Sequence, residues 1–135
     1  MTHGELMMVA AEARKASYSP YSGFKVGAAL LGKSGKVYTG CNVENAAYTP
    51  TNCAERTAIF KAVSEGEREF TAIAIVGGKG EETASFCAPC GVCRQVLAEF
   101  CDEDFTVILG NPEKFEVYPF AKLLPFSFGK ADLNK

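Results

Sequence analysis

The sequence has no tryptophan, a single histidine and no long run of like charges. Its 14 basic and 16 acidic side chains give a formal net charge of −2, and its longest basic run is the pair Arg14-Lys15. Proteins that bind an extended nucleic acid contact many phosphates through clustered lysine and arginine side chains. Because the chain has no such cluster, we expect no extended nucleic acid as its partner.

Long apolar segments are also missing. No wholly apolar run exceeds Val26–Gly32, whereas a membrane-spanning helix needs roughly 20 apolar residues. The segment Met1–Glu5 has neither a basic start nor an apolar stretch, so it does not resemble a secretory signal. We therefore expect no membrane partner and a cytoplasmic location, where thiols stay reduced.

What the chain does have is an ordinary globular composition. Its 135 residues are 47% hydrophobic and 22% charged, which excludes general disorder. This length suits one domain, and no repeat or linker divides it. We expect a single domain over residues 1–135.

Hydrophobic periodicity predicts three helices and five strands. The helices are expected over Glu5–Ala16, Cys53–Ser64 and Gly91–Cys101, and the strands over Phe24–Leu31, Val37–Val43, Thr71–Val76, Phe105–Leu109 and Phe115–Tyr118.

The connections between these elements predict how the strands pair. The glycine-bearing connection Gly32–Lys36 is typical of an antiparallel hairpin. The helix Gly91–Cys101 separates two apolar strands and is long enough for a parallel crossover, whereas Asn111–Lys114 permits only an antiparallel return. We predict an α/β fold, a three-layer α/β/α domain whose mixed five-stranded sheet has helices on its faces.

The cysteines carry most of the functional information. Cys90 and Cys93 are three residues apart at the predicted start of a helix, so both thiols can chelate one ion. Cys53 supplies a third thiol from the start of another helix. Three protein ligands with one open position are typical of a catalytic zinc site. The sequence therefore predicts one Zn²⁺ per chain, held by Cys53, Cys90 and Cys93.

Glu55 lies two residues after Cys53, about 200° around a helix, so it should approach the metal from another side. This placement favours a carboxylate that moves protons of a zinc-activated water molecule over one that binds the metal. Three thiolates and Zn²⁺ together carry a formal charge of −1, which weakens the metal as a Lewis acid. Arg56 and Arg94 adjoin the cysteines and could each offset that charge.

The same cysteines would also suit a structural zinc site or a redox-active dithiol. A Cys-x-x-Cys pair occurs in both, and Cys87 could act as a fourth ligand, so these alternatives stay open. A reducing dithiol protein or a zinc-stabilised binding module would, however, leave Glu55 without a role. For Cys41, Cys87 and Cys101 the simplest interpretation is that they are buried core thiols.

Several separate segments resemble one enzyme family. Cys53-Ala54-Glu55 and Pro89-Cys90-Gly91-Val92-Cys93 fit the signature of zinc-dependent nucleobase deaminases, with cysteine in the first ligand position. Further matching segments occur in the expected order: Ser19–Ser22, Phe24–Ala28, Gly40–Tyr48, Cys53–Ala58 and Leu123–Phe128. The chain is similar to the cytidine deaminase family, and its three cysteines resemble those of the small homotetrameric branch.

The resemblance implies a reaction and a set of site residues. The reaction is the hydrolytic deamination of cytidine and 2′-deoxycytidine to uridine and 2′-deoxyuridine with release of ammonia, a step of pyrimidine salvage. In it Glu55 would take a proton from the zinc-activated water and pass protons to ring N3 and the leaving amino group. The free nucleoside is the implied substrate, because the chain has no basic loop for a phosphate. The substrate would be contacted by Phe24, Asn42, Glu44, Ala54 and Phe128, and Arg56 would compensate the thiolate charge.

The carboxy-terminal segment Leu123–Phe128 is strongly apolar, which by itself suggests packing onto its own domain. The resemblance implies instead that this segment reaches into the active site of a neighbouring subunit in a homotetramer. Phe126 and Phe128 are the two candidates for the aromatic ring that would contact the base there, and Phe128 is the one that matches the family.

Overall fold

The computed structural model describes residues 1–83 and 86–134, and its five β-strands form one mixed sheet. The strands are β1 (Phe24–Gly32), β2 (Val37–Cys41), β3 (Phe70–Lys79), β4 (Thr106–Gly110) and β5 (Phe115–Pro119). The α-helices are α1 (His3–Ala13), α2 (Ala54–Ser64), α3 (Gly91–Phe100) and α4 (Lys130–Leu133), and 3₁₀ turns occupy Arg14–Ala16 and Phe120–Lys122.

The strands are arranged in the order β2-β1-β3-β4-β5. β1 is antiparallel to both β2 and β3, β3 and β4 are parallel, and β4 and β5 are antiparallel. The predicted hairpin, the parallel crossover through α3 and the final antiparallel return are all confirmed.

Helices cover both faces of the sheet. On one face, α1 buries Leu6, Met7 and Ala10 against the sheet. On the other face, α2 and α3 bury Ile59 and Leu97 against the alternate residues of the same strands. Side chains along β3 point alternately to the two faces of the sheet, and both faces are covered. Because both sets of side chains are buried, the sequence of β3 is nearly continuously apolar. The three-layer α/β/α prediction is confirmed.

Some predicted bounds were wrong. Helix α1 begins at His3 because Thr2 and Glu5 form a capping box, and it ends at Ala13, where a 3₁₀ turn replaces the predicted last turn. β2 ends at Cys41, two residues before the predicted end.

The strand β3 continues to Lys79, beyond the predicted end at Val76. Gly77 and Gly78 continue the ladder, opposite Val26 and Lys25 of β1. The prediction failed here because two adjacent glycines are typical of a loop. In this strand, however, Gly77 allows Cys87 to pack closely against the backbone. A Cβ atom at Gly77 would lie only 2.6 Å from Cys87 Sγ.

None of the helices in residues 1–83 and 86–134 combines the length and the hydropathy needed to cross a lipid bilayer.

Candidate active site

Three thiols meet where helices α2 and α3 begin. Cys53 is the N-cap residue of α2 and Cys90 is the N-cap residue of α3, while Cys93 lies in the first turn of α3. Neither N-cap thiol forms the side-chain hydrogen bond that usually caps a helix. Both sulfur atoms therefore lie at the positive ends of helix dipoles, where a thiolate is favoured.

The spacing of these sulfur atoms fits a zinc ion. Cys53 Sγ lies 3.7 Å from Cys90 Sγ, which lies 3.5 Å from Cys93 Sγ, and all three sulfur atoms lie within 4.8 Å of one another. Tetrahedral zinc with Zn–S bonds of about 2.3 Å separates its sulfur ligands by about 3.8 Å. The chemistry and spacing of the donor set thus agree with three ligands to one Zn²⁺.

Cys87 does not join this group. The sequence alone allows it as a fourth ligand, but the metal-binding cluster among the described residues comprises only the other three thiols. The Cys87 sulfur packs on Gly77 instead, and burial raises the pKa of its thiol to about 12. Among the described residues, the cluster that could hold a metal ion therefore consists of Cys53, Cys90 and Cys93, without Cys87.

The two arginines next to the ligands have different partners. Arg56 donates a hydrogen bond from Nη2 to Cys53 Sγ at 3.2 Å. Arg94 donates instead to the carbonyl oxygens of Pro89 at 2.7 Å and Leu123 at 2.6 Å. This difference favours Arg56 as the residue that offsets the thiolate charge.

Hydrogen bonds favour the ionised form of Cys53. Hydrogen bonds from Cys93 and Arg56 lower the pKa of Cys53 to about 5, although burial opposes them. The same contact with Cys53 raises the pKa of Cys93, with burial adding to the effect. Within this pair, Cys53 is therefore the thiol that ionises more readily, and it accepts hydrogen bonds from its neighbours.

Glu55 is buried in the first turn of α2 with only 4% of its surface exposed. Burial raises the pKa of its carboxyl group to about 7, and the nearby Cys53 charge acts in the same direction. A carboxyl group with this pKa can accept and donate a proton at neutral pH. Glu55 has the burial and the ionisation of a proton-transfer group beside a metal site.

Helix α2 lies unusually close to the sheet at this end. A Cβ atom at Gly40 of β2 would lie 2.4 Å from the carbonyl oxygen of Ala54 and 2.5 Å from the nitrogen of Ala58. Only a glycine therefore permits the first turn of α2 to rest directly on β2. This contact fixes the height of Cys53 and Glu55 above the sheet.

Asn42 and Glu44 follow strand β2 and are both held by hydrogen bonds. Asn42 Oδ1 accepts from the backbone nitrogen of Val26 at 2.9 Å, and its Nδ2 donates to the carbonyl of Phe24 at 2.8 Å. Glu44 accepts from the backbone nitrogens of Tyr21 and Ser22 and from the Ser22 hydroxyl. The bond from that hydroxyl, more than any other contact, keeps the pKa of Glu44 below its ordinary value, so this carboxylate is ionised.

The other predicted substrate residues lie at three places. Ala54 is fully buried at the start of α2. Phe24 is half-buried at the start of β1, where its ring lies against Gly77. Phe128 lies in the carboxy-terminal segment with 59% of its surface exposed, and its carbonyl accepts a hydrogen bond from Gln95 at 2.8 Å.

Ser17 supports this region, and no sequence signal pointed to it. Its hydroxyl lies within hydrogen-bond distance of Asn42 Oδ1, so Ser17 donates to the same oxygen that accepts from Val26. A serine in a polar turn is common, and no local pattern distinguishes one that supports a binding residue.

Comparison with known proteins identifies the family. Residues 1–109 match the family described as "Cytidine and deoxycytidylate deaminase zinc-binding region". A cytidine deaminase of Sporosarcina psychrophila is 51% identical over 96% of this chain and 93% of its own, and one of Halalkalibacterium halodurans is 50% identical over 96% of each. The crystal structure of cytidine deaminase from Burkholderia pseudomallei superposes with a TM-score of 0.87, at 50% identity over 95% of this chain and all of that one. With three converging thiols beside a buried glutamate, this chain belongs to the cytidine and deoxycytidylate deaminase family.

Proposed function

We propose that this protein is a zinc-dependent hydrolase that converts cytidine and 2′-deoxycytidine to the corresponding uridines with release of ammonia. The observation that carries the proposal is the buried Glu55 beside the convergent thiols of Cys53, Cys90 and Cys93. The catalytic unit spans residues 1–135 and works in the cytoplasm, where a reducing environment keeps the ligand thiols available.

The reaction adds water to C4 of the base and removes the amino group. Cys53, Cys90 and Cys93 would hold a zinc ion, which would act as a Lewis acid and lower the pKa of the reacting water. Glu55 accepts one proton from the attacking water and donates it to ring N3. It then takes the second proton of that water, from the hydroxyl group formed on C4, and passes it to the amino group, which leaves as ammonia. One carboxyl group can relay both protons because burial raises its pKa to about 7, so that it can accept and donate near neutral pH.

The nucleoside binds on the side of the site formed by the start of β1 and the segment after β2. Among the described residues, Asn42 Nδ2 donates only to the carbonyl of Phe24, which leaves its second N–H available for a ribose hydroxyl. Glu44 is ionised and accepts from hydroxyl groups, Phe24 packs on the nucleoside, and Ala54 lies next to the base. Arg56 offsets the charge of the thiolates.

We further propose a homotetramer with shared active sites. The backbone of the carboxy-terminal segment is held to α3, because Arg94 donates to the Leu123 carbonyl and Gln95 to the Phe128 carbonyl. The rings nevertheless stay outside the core: Phe126 is fully exposed with a φ of 55°, and Phe128 is largely exposed. A firmly held segment with exposed rings fits a surface that a second subunit covers. Phe128 provides the ring for the neighbouring site.

The sharing of sites can be tested with mixed assemblies. Glu55→Gln subunits are inactive but keep Phe128, whereas Phe128→Ala subunits keep Glu55. Mixed tetramers should recover the substrate affinity of the wild type at sites that combine Glu55 with a neighbour's Phe128. The control uses Phe126→Ala subunits in place of Phe128→Ala subunits, and these should keep the substrate affinity of the wild type without mixing. An enzyme that is fully active as a monomer by light scattering would contradict the proposal.

The activity itself is tested by the ultraviolet absorbance of cytidine incubated with the purified protein. We expect the cytosine absorbance to disappear and an equal amount of ammonia to form. A strong chelator should stop the reaction, and stoichiometric Zn²⁺, but not Mg²⁺, should restore it. A protein that holds zinc and leaves both nucleosides unchanged would refute the proposed function.

A further inference from the structure

Two charged side chains are buried in the described part of the chain, and the reaction uses only one of them. Glu55 belongs to the active site, whereas Arg14 lies in the 3₁₀ turn after α1 and exposes only 6% of its surface. Burial of a charge is costly unless the charge is paired or hydrogen-bonded. The hydrogen bonds that Arg14 forms should therefore explain why its charge is buried.

Arg14 binds backbone carbonyls on two strands and on the segment that follows. Its Nε donates to the Lys25 carbonyl at 3.0 Å. Its Nη2 donates to the carbonyls of Gly78 at 2.8 Å and Gly80 at 2.7 Å, and also to that of Glu82. Lys25 and Gly78 are opposite each other in the β1–β3 ladder, so one guanidinium links the ends of both strands.

No carboxylate takes part in this arrangement. The ion pairs in the described ranges are formed by Lys15, Lys33 and Lys36, and none includes Arg14. An apolar side chain of similar length could fill the same space, but it would remove the donor from four backbone carbonyls. The planar fork of donors can hold several carbonyls at fixed angles, which neither an apolar chain nor a lysine can do.

The backbone held by Arg14 carries the residues proposed to bind the nucleoside. Phe24 directly precedes Lys25, and its carbonyl accepts from Asn42, whose Oδ1 in turn accepts from Val26. Ser17 ends the turn that begins with Arg14, and it donates to the same Asn42 oxygen.

The opposite face of the same strand ends supports the aromatic ring. A Cβ atom at Gly77 would lie 3.1 Å from Phe24 Cε1, so the ring rests on the backbone next to Gly78. Arg14 and the Phe24 ring therefore lie on opposite sides of these strand ends. The hydrogen bonds of Arg14 hold the backbone that positions Phe24 and Asn42.

We propose that Arg14 is a positioning residue for nucleoside binding, which acts through the backbone of Lys25 and of residues 78–82. The inference rests on the proposed function and deepens it. The hydrogen bonds of the Arg14 side chain in the described residues all go to backbone carbonyls, and none goes to Cys53, Cys90 or Cys93. The loss of Arg14 should therefore weaken substrate binding and leave the proton transfers of Glu55 intact.

The test compares Arg14→Met with Lys15→Met, which removes the neighbouring cation. Lys15 is a matched control because its side chain is 73% exposed and forms an ion pair with Glu12 at the surface. We expect Arg14→Met to raise KM for cytidine tenfold or more, with kcat within threefold of the wild type and one zinc per chain. Lys15→Met should leave KM and kcat unchanged.

Arg14→Lys keeps the charge and serves if Arg14→Met does not fold. A single ammonium group cannot reach Lys25 and residues 78–82 together, so KM should still rise at least threefold with kcat retained. Hydrogen exchange supplies a readout without substrate: the amides of residues 24–26 and 78–82 should exchange faster in the Arg14 variants, while those of α2 stay protected.

Folded Arg14 variants with an unchanged KM would overturn the inference. A fall in kcat and zinc content at constant KM would also overturn it, because Arg14 would then act on the metal site. These results differ from a failure of the proposed function, in which the wild-type protein itself would not deaminate cytidine.

Discussion

Replacing Gly40 by alanine tests whether the close contact between β2 and α2 determines catalytic geometry. The added methyl carbon would lie 2.4 Å from the Ala54 carbonyl oxygen and 2.5 Å from the Ala58 nitrogen, whereas ordinary contact begins at 3.4 Å. The backbone of Gly40 is not in the left-handed region, so the substitution adds no conformational strain. Its effect is purely steric, and it falls on backbone atoms that cannot rotate away.

The first turn of α2 must therefore move outward by about 1 Å, and it carries Cys53 and Glu55 with it. A displacement of about 1 Å in catalytic groups can cost ~100-fold in rate, equivalent to about 2.7 kcal/mol of activation free energy. Overpacking should also lower the free energy of unfolding by about 1–3 kcal/mol. We expect Gly40→Ala to fold, to melt at a lower temperature and to lose about two orders of magnitude in kcat.

The assay measures kcat for cytidine, zinc content by atomic absorption and Tm by calorimetry on the same preparation. Gly4→Ala is the control, because a methyl group there meets nothing closer than 4.0 Å, in helix α1 on the other face of the sheet. A Gly40→Ala variant that binds one zinc and keeps kcat within threefold of the wild type would refute the reasoning.

Three further predictions concern single side chains. Glu55→Gln should retain zinc and lose about 10²–10⁴-fold in kcat, because the amide cannot transfer protons; zinc analysis and steady-state kinetics check this. Arg56→Ala removes the hydrogen bond to Cys53 Sγ and should weaken zinc binding about 10–100-fold in competition with a chelator, with Arg56→Lys as control. Unchanged affinity and kcat would move the charge compensation to Arg94 or to the helix ends. Burial raises the pKa of Cys101 to about 12, so its reactive thiolate forms only well above neutral pH in the native state. Peptide mapping should find Cys101 unmodified by iodoacetamide at pH 8 until the protein is denatured, when the pKa returns to about 8.5.

Local sequence patterns correctly predicted the structural features that depend on residues close together in the chain. The connection Gly32–Lys36 determines the β1–β2 hairpin, and the Cys90–Cys93 spacing places two thiols at one helix start. The pairing of β1 with β3 could not be predicted in this way, because 37 residues separate Gly32 from Phe70 and no turn signal links them. Strand order depends on tertiary packing, which a periodic pattern does not encode.

The burial of Arg14 has a signal in the sequence, whereas its partners have none. The buried positions of α1 are Leu6, Met7 and Ala10, and Arg14 follows Ala10 by four residues. That spacing places Arg14 on the same face of a helix, so the periodicity alone indicates an arginine on a buried face. Three of its four carbonyl partners cannot be found in this way, because they belong to residues 78–82, far along the chain.

At the N-cap positions of α2 and α3, helix stability and the thiol cluster require different residues. Serine, threonine, asparagine or aspartate at an N-cap stabilises a helix by about 1 kcal/mol relative to a residue that forms no capping bond. Cys53 and Cys90 occupy both N-caps without such a bond, because their sulfur atoms face each other. A thermostability design that scored helices alone would replace both residues, strengthen both helix starts and discard two of the three thiols. Any stabilised version of this enzyme must therefore seek its gains elsewhere in the chain and treat these two weak caps as fixed.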